Sequence, residues 1–308
     1  MKKGVIFALI TASISGVSIF YNKLIVVNGI DPLIFNILKN GAVAAVLSML
    51  FLSFPNRKKL HSLSINQWKK LILIGIVGGS IPFILFFEGL RSVSAINANL
   101  LHKTLFLWVA VFAVPFLGEK LNIWQVIGYL TLAWANLFLG GLSGFSGSLG
   151  EIMILSATIL WSAENIIAKI ALKDTDPKII AWGRMTIGVL ILLIFAFAQN
   201  KLFLLTKITF AQLLATSGSI FLLTGYVLTW YKALKYAPAT LVASILILAT
   251  PITNVLTAVF INHLPLPQPQ LLNLVFTILG LALITYLPPF LILERVTRAR
   301  ASHQARRI

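Results

Sequence analysis

The chain alternates between long apolar runs and short polar segments. Each run holds about 20 residues, and a helix of that length spans the roughly 30 Å hydrocarbon core of a bilayer. The pattern therefore predicts an all-α polytopic membrane protein. Ten spans are predicted, near residues 4–27, 32–54, 68–89, 94–117, 122–141, 149–171, 177–198, 210–232, 237–261 and 268–290.

The first five spans resemble the last five in sequence. Asp31-Pro32 opens span 2 and Asp176-Pro177 opens span 7, at an offset of 145, and Lys39 and Arg184 follow at the same offset. Because five is an odd number, the second copy must enter the membrane upside down. This is an inverted repeat, an arrangement that favours a binding site near the midplane and alternating access.

Span 4 has the most unusual composition. Residues 94–121 carry His102 and Lys103 inside an otherwise apolar segment, and two adjacent ionisable residues within a span need a functional or structural reason. A second version of this segment lies at 238–264, at an offset of 144. Two copies of one membrane helix in a single chain indicate a transporter.

A Gly/Ser-rich connector at 142–149 separates the two halves. The predicted division is a first repeat at 4–141, a second repeat at 149–290 and a basic cytoplasmic tail at 291–308. The tail is expected to lie against anionic lipid head groups; the simpler alternative is a solvated tail.

Composition and charge agree with a membrane protein. The chain is 58% hydrophobic and 11% charged, against about 25% charged in soluble proteins, and its mean hydropathy is +0.94. The net charge is +17, and the Lys and Arg residues outside the spans are unevenly distributed between the two sides of the membrane. Only Arg91, Lys201 and Lys207 fall on the side away from the N-terminus. This bias predicts cytoplasmic termini and no nucleic-acid partner. The absence of cysteine excludes disulfides and Cys-based metal sites.

These features together resemble the EamA-type members of the drug/metabolite transporter superfamily, over nearly all of residues 4–290. The resemblance is carried by Asp31-Pro32, Asp176-Pro177, Lys39, Arg184, residues 233–239, Thr250-Pro251, and residues 117–121 followed by Gly128. Two positions depart from the family pattern: Leu107 replaces an expected proline, and His263 replaces the glutamate that Glu119 supplies in the first copy. The resemblance implies ten helices, two inverted repeats, a central cavity, and transport of amino acids or related metabolites, usually outward.

Four charged residues lie deep within predicted spans. Each costs roughly 2.5–3.5 kcal/mol on insertion scales unless it is paired or solvated. Glu164 and Arg184 lie at similar depths on consecutive helices, and we expect them to pair, either as a fixed ion pair or as a gate. Lys39 and Lys103 have no acidic partner at their depth. They predict an anionic or zwitterionic substrate, unless they snorkel to the membrane surface.

The other candidates line the same predicted cavity. His102 is the ionisable group within the spans that titrates near neutral pH, so proton coupling is open beside the alternative of a histidine hydrogen-bonded to a neighbouring helix. The predicted substrate-binding set is Lys39, Lys103, His102, Trp161, Asn165, Tyr226 and Asn99. The predicted hinges are Gly78, Gly79 and Pro82 in span 3, Gly218 and Gly225 in span 8, and Pro251 in span 9; close helix packing is the alternative role of the glycines.

The sequence contains no phosphate loop, zinc-protease motif or nucleophile elbow, so we expect neither an enzyme nor a cofactor. The expected function is secondary transport of a small polar metabolite across a bacterial cytoplasmic membrane. The expected partners are the substrate and the bilayer, and two complete repeats make a monomer sufficient. A lipid-linked sugar or phosphate flippase and a non-transporting scaffold or regulatory subunit are the alternatives.

Overall fold

The computed structural model describes residues 1–27, 29–52, 60–93, 95–138 and 145–285. The predicted tail at 291–308 lies outside these residues. The helices are α1 Lys2–Val27, α2 Pro32–Leu52, α3 Ile65–Gly79, α4 Ile81–Leu90, α5 Ala95–Lys103, α6 Leu105–Leu117, α7 Ile123–Leu137, α8 Leu149–Ala171, α9 Pro177–Ala198, α10 Phe210–Tyr236, α11 Ala239–Leu246, α12 Ala249–Thr257 and α13 Gln268–Thr285.

The predicted all-helical class with two inverted five-helix repeats is confirmed. Among the described residues, nine helical segments are long and apolar enough to cross a membrane. The fifth predicted span is the shorter α7. Successive spans run in opposite directions, so their ends fall on two faces. We call the side on which α1 begins the N-terminal face and the other side the opposite face.

The Asp-Pro pairs of the repeat are helix starts. The Asp31 carboxylate accepts hydrogen bonds from the Leu33 and Ile34 amides, at 2.9 and 3.3 Å. Asp176 caps α9 in the same way, accepting from the Lys178 amide at 2.9 Å. An N-cap carboxylate satisfies free amides of the first turn, and proline fits there because it has no amide hydrogen. The repeat in sequence is thus partly a repeat of capping chemistry.

The main helix contacts join one half to the other. Helix α1 packs against α10 and α12, α8 packs against α4 and α6, and α7 pairs with α13. Helices α3 and α9 approach so closely that a Cβ on Gly188 would lie 2.6 Å from the Gly79 carbonyl oxygen. One apolar core therefore extends across both repeats.

Three spans are interrupted. Span 3 breaks at Ser80 between α3 and α4, span 4 breaks at Thr104, and span 9 breaks at Ile247 and Leu248. The last two breaks correspond, since Thr104 and Leu248 are related by the offset of 144. Pro251 lies just past the break, inside α12.

Span 8, where Gly218 and Gly225 are the predicted hinges, is one continuous helix, since α10 runs unbroken from Phe210 to Tyr236. Its two glycines make room for α1, as the close-packing alternative expects. A Cβ on Gly218 would lie 2.7 Å from the Tyr21 hydroxyl, and one on Gly225 would lie 3.2 Å from Ile14.

Candidate functional site

The break in span 3 exposes a carbonyl group that the second repeat uses. In an unbroken helix the Gly78 carbonyl would accept from the amide of residue 82, but Pro82 has no amide hydrogen. The Gly78 oxygen instead accepts from Trp161 Nε1 at 3.0 Å and from Arg184 Nη2 at 3.2 Å. One proline thus creates the point at which spans 3, 6 and 7 are joined.

Glu164 lies against the same glycine. Its side chain packs so closely that a Cβ on Gly78 would lie 2.3 Å from Glu164 Cγ. The residue is 1% exposed, and its carboxylate accepts a hydrogen bond from the Tyr231 hydroxyl at 2.7 Å. A side chain at position 78 would therefore displace the carboxylate.

The expected direct ion pair between Glu164 and Arg184 is also a correction. No nitrogen and oxygen atoms of these two described side chains lie within ion-pair distance of each other. The Tyr231 hydroxyl donates to the Glu164 carboxylate and also interacts electrostatically with the Arg184 guanidinium. Arg184 Nε is buried and has no hydrogen-bond acceptor in the part of the chain that the structure describes. The guanidinium is therefore incompletely satisfied by these residues.

Asn165 faces span 8. Its side-chain oxygen accepts from Trp230 Nε1 at 3.1 Å, and the Tyr226 ring stacks on Trp230 with a centroid distance of 6.0 Å. Trp230 and Tyr231 were not predicted from the sequence. The signal that could have identified Trp230 is its helical spacing of four residues from Tyr226, which places the two rings on one face of span 8.

His102 is enclosed by aromatic rings. Its imidazole meets Trp161 edge-on at 4.9 Å and Phe86 at 5.5 Å between ring centroids. Its Nδ1 atom is buried and makes no hydrogen bond to any residue in the described part of the chain. The alternative that the sequence left open, a histidine hydrogen-bonded to a neighbouring helix, is not formed through this atom.

The two lysines have no anionic partner among the described residues. The Lys39 ammonium lies 4.9 Å from the Phe35 ring centroid, and the residue is 9% exposed. Lys103 is the last residue of α5, directly before the break at Thr104. Beside Lys39, both side-chain amide atoms of Asn40 are buried and have no hydrogen-bond partner among the residues that the structure describes. Within these residues, span 2 therefore carries unsatisfied polar groups at the depth of Lys39.

The predicted set is thus only partly brought together. Trp161, His102, Glu164 and Arg184 form one connected cluster around Gly78, and Asn165 and Tyr226 adjoin it through Trp230 and Tyr231. Asn99 is exposed on α5 and forms no hydrogen bond with any of these described residues. Gly218 and Gly225 belong to the packing of α1 on α10.

Inverted halves, interrupted helices in both halves and two lysines within spans that have no anionic partner in the described part of the chain are typical of one class, the multi-pass membrane transport proteins. The chain belongs to the EamA-like transporter family, whose model matches residues 2–140 and 148–286.

Curated relatives carry transporter names. The chain is 26% identical over 234 residues to the "Uncharacterized transporter YoaV" of Bacillus subtilis (strain 168), covering 72% of this chain and 78% of that protein. It is 25% identical over 249 residues to the "Uncharacterized transporter YyaM" of the same organism, covering 77% and 79%. A solved crystal structure superposes with a TM-score of 0.78 at 15% identity, covering 94% of this chain and 99% of that chain. That likeness supports the fold alone.

Proposed function

We propose that the protein is a secondary carrier that exports a small anionic or zwitterionic metabolite, such as an amino acid or a related organic anion, by alternating access. The observation that carries this proposal is the pair of ammonium groups of Lys39 and Lys103. Both lie within spans, and neither has a carboxylate partner among the described side chains.

The free-energy argument concerns these two cations. Each charge within a span costs roughly 2.5–3.5 kcal/mol when it is unpaired. A substrate carboxylate would offset that cost, because hydrogen bonds between charged partners are about twice as strong as neutral ones. The two lysines therefore have a physical role in a binding site whose charges are paired only when the substrate is bound.

The neighbouring cluster supplies the other roles. Trp161 and Asn165 would hold the body of the substrate. Glu164, Tyr231 and Arg184 would form the gate, in which the guanidinium exchanges acceptors as the two halves rock. His102 would be the proton-coupling group, since its Nδ1 has no hydrogen-bond partner among the described residues and could accept a proton.

The orientation of the protein in the membrane is inferred from the positive-inside bias of the sequence. We place both termini in the cytoplasm and the protein in a bacterial inner membrane, where a monomer with two repeats suffices. The N-terminal face is then the cytoplasmic face.

The test is ligand-induced thermal stabilisation of detergent-purified protein against a metabolite panel at pH 5.5 and 7.5. A ligand at 100 times its Kd adds about 2.7 kcal/mol. Carboxylate compounds should raise the melting temperature of the parent and of Lys69→Ala, whose lysine is exposed on the N-terminal face, but not that of Lys103→Ala. Stabilisation by cationic or neutral compounds alone would overturn the proposal, and retention of a phosphate lipid would favour a flippase.

A further inference from the structure

The start of the half-helix α11 is capped from the other repeat. The residue before it, Pro238, has no side-chain hydrogen-bond acceptor, so the first amides of α11 need an outside partner. Glu119, in the loop after span 4, provides it. Its carboxylate accepts from the Ala239 amide at 2.6 Å and from the Thr240 amide at 3.1 Å, and it also accepts from the Thr240 hydroxyl.

A second contact holds the chain just before α11. The Lys169 ammonium of span 6 donates to the Ala237 carbonyl at 2.7 Å and also to the Leu234 carbonyl. The result is close packing, since every residue of α11 except its last is buried. Spans 4, 6, 8 and 9 are therefore joined at the N-terminal face.

The repeat-related place on the opposite face lacks the carboxylate. At the offset of 144, His263 stands where Glu119 would be and Ala95 where Ala239 would be. His263 is exposed and has a left-handed backbone with φ 51°. On the same side, Asn99 of α5 is exposed, whereas its counterpart Ala243 is 2% exposed. The described contacts therefore clamp the N-terminal face, and the sequence has no carboxylate at the related position of the opposite face.

We propose that Glu119 is the closing residue of the N-terminal face, and that the carrier opens on that face only when this carboxylate leaves the start of α11. The inference rests on the alternating-access function proposed above. It assigns the described conformation to the state closed at the N-terminal face. It also makes the two gates chemically different, because the opposite face must close without a carboxylate cap.

Cysteine labelling tests this directly, because the chain has no cysteine of its own. Ala243→Cys is the buried reporter, and His61→Cys, exposed on the N-terminal face, reports the vesicle orientation. A membrane-impermeant maleimide is applied to that face. Glu119→Ala should raise the initial labelling rate of the buried reporter about tenfold, since the variant loses charge-assisted hydrogen bonds.

Two further variants keep the test decisive. Glu88→Ala is the matched control, because that carboxylate pairs with Arg91 on the opposite face at 3.1 Å, and the rate should not change. Thr240→Val removes one of the three bonds and should raise the rate about two- to threefold. Equal rates in Glu119→Ala and Glu88→Ala would overturn the proposal, as would an unchanged rate in Thr240→Val if Glu119→Ala fails to fold.

Labelling requires no substrate, so the outcome is separate from the substrate proposal. Faster labelling in a protein that shows no response to anions supports the clamp and overturns the anion carrier. Unchanged labelling in a protein that transports anions overturns the clamp and supports the anion carrier.

Discussion

Spans 4 and 9 are copies of one helix and break at corresponding places, yet they differ in chemistry. His102 and Lys103 precede the break in span 4, whereas Leu246 and Ile247 stand at the related positions of span 9. The first half of span 9 is almost completely buried, whereas that of span 4 has an exposed Asn99. The two copies therefore share a helix architecture but differ in side chains: one carries ionisable groups, and the other has a buried first half that Glu119 caps.

Spans 3 and 8 show the same division. Span 3 breaks before Pro82, and its Gly78 carbonyl binds two side chains from the second repeat. Span 8 has Tyr226 at the position related to Pro82 and continues as one helix. A single residue type thus decides which copy offers a backbone acceptor to its neighbours. The following predictions test these differences between the copies.

The largest effect is expected for Gly78→Val. The new side chain would overlap Glu164, whose Cγ lies 2.3 Å from the Cβ position. Overpacking of this kind, with displacement of a buried charge, should destabilise the protein by about 3 kcal/mol or more. Melting temperature and yield in detergent measure the loss. Gly225→Ala in span 8 is the control and should be near neutral, because its nearest contact is the flexible end of Ile14 at 3.2 Å.

Pro82→Ala should make span 3 resemble span 8. The restored amide would compete for the Gly78 carbonyl, so Trp161 and Arg184 would lose their shared acceptor. We expect about a tenfold loss of transport, consistent with about 1.4 kcal/mol, together with a shift in tryptophan emission. Pro115→Ala, at an exposed proline of α6, should leave both readouts unchanged; equal effects at the two prolines would contradict the assigned role.

Tyr231→Phe tests the link between the two buried charges. The variant removes the hydroxyl that donates to Glu164 at 2.7 Å, leaving a buried carboxylate without that donor. The expected cost is about 1–3 kcal/mol in the free energy of unfolding, measured as a lower melting temperature. Tyr236→Phe, at an exposed ring one turn further along the same helix, should cost almost nothing.

The smallest effect concerns an ion pair on the opposite face. Partial burial raises the pKa of Asp31, but the Lys201 ammonium and the Ile34 and Leu33 amides outweigh burial and hold this pKa below the ordinary 3.8. A lowered folded-state pKa adds stability above the unfolded pKa, and this stability is lost as the pH falls through the folded value.

Asp31→Asn keeps the capping oxygen and removes the charge. It should cost about 0.2–1 kcal/mol at pH 7 and progressively less below about pH 4. Melting curves of parent and variant at both pH values measure the difference. A difference that stays constant down to low pH would show that the ion pair with Lys201 contributes no stability.

Much of the fold could be predicted from the sequence. The apolar runs predicted the spans, and the Asp-Pro pairs predicted two helix starts. Both predictions succeed because helix capping and the length of an apolar run depend on residues that are close together in the sequence. The unbroken span 8 was not predicted, since glycine permits a hinge and close packing equally. The site could be predicted only as a set of unusual residues. Their contacts could not, and the expected direct contact between Glu164 and Arg184 was wrong.

By itself, therefore, the sequence determined the class of protein, the inverted repeat and the presence of buried cations, since each depends on residue type at short range. Only the tertiary structure decided that Tyr231 interacts with both Glu164 and Arg184, that the Gly78 carbonyl accepts a hydrogen bond from Trp161, and that Glu119 caps α11. These partners lie tens of residues or more apart in the chain, up to 120 for Glu119 and Ala239. A free hydrogen-bonding group in a span must find an acceptor or donor, but which one it finds depends on how the helices pack.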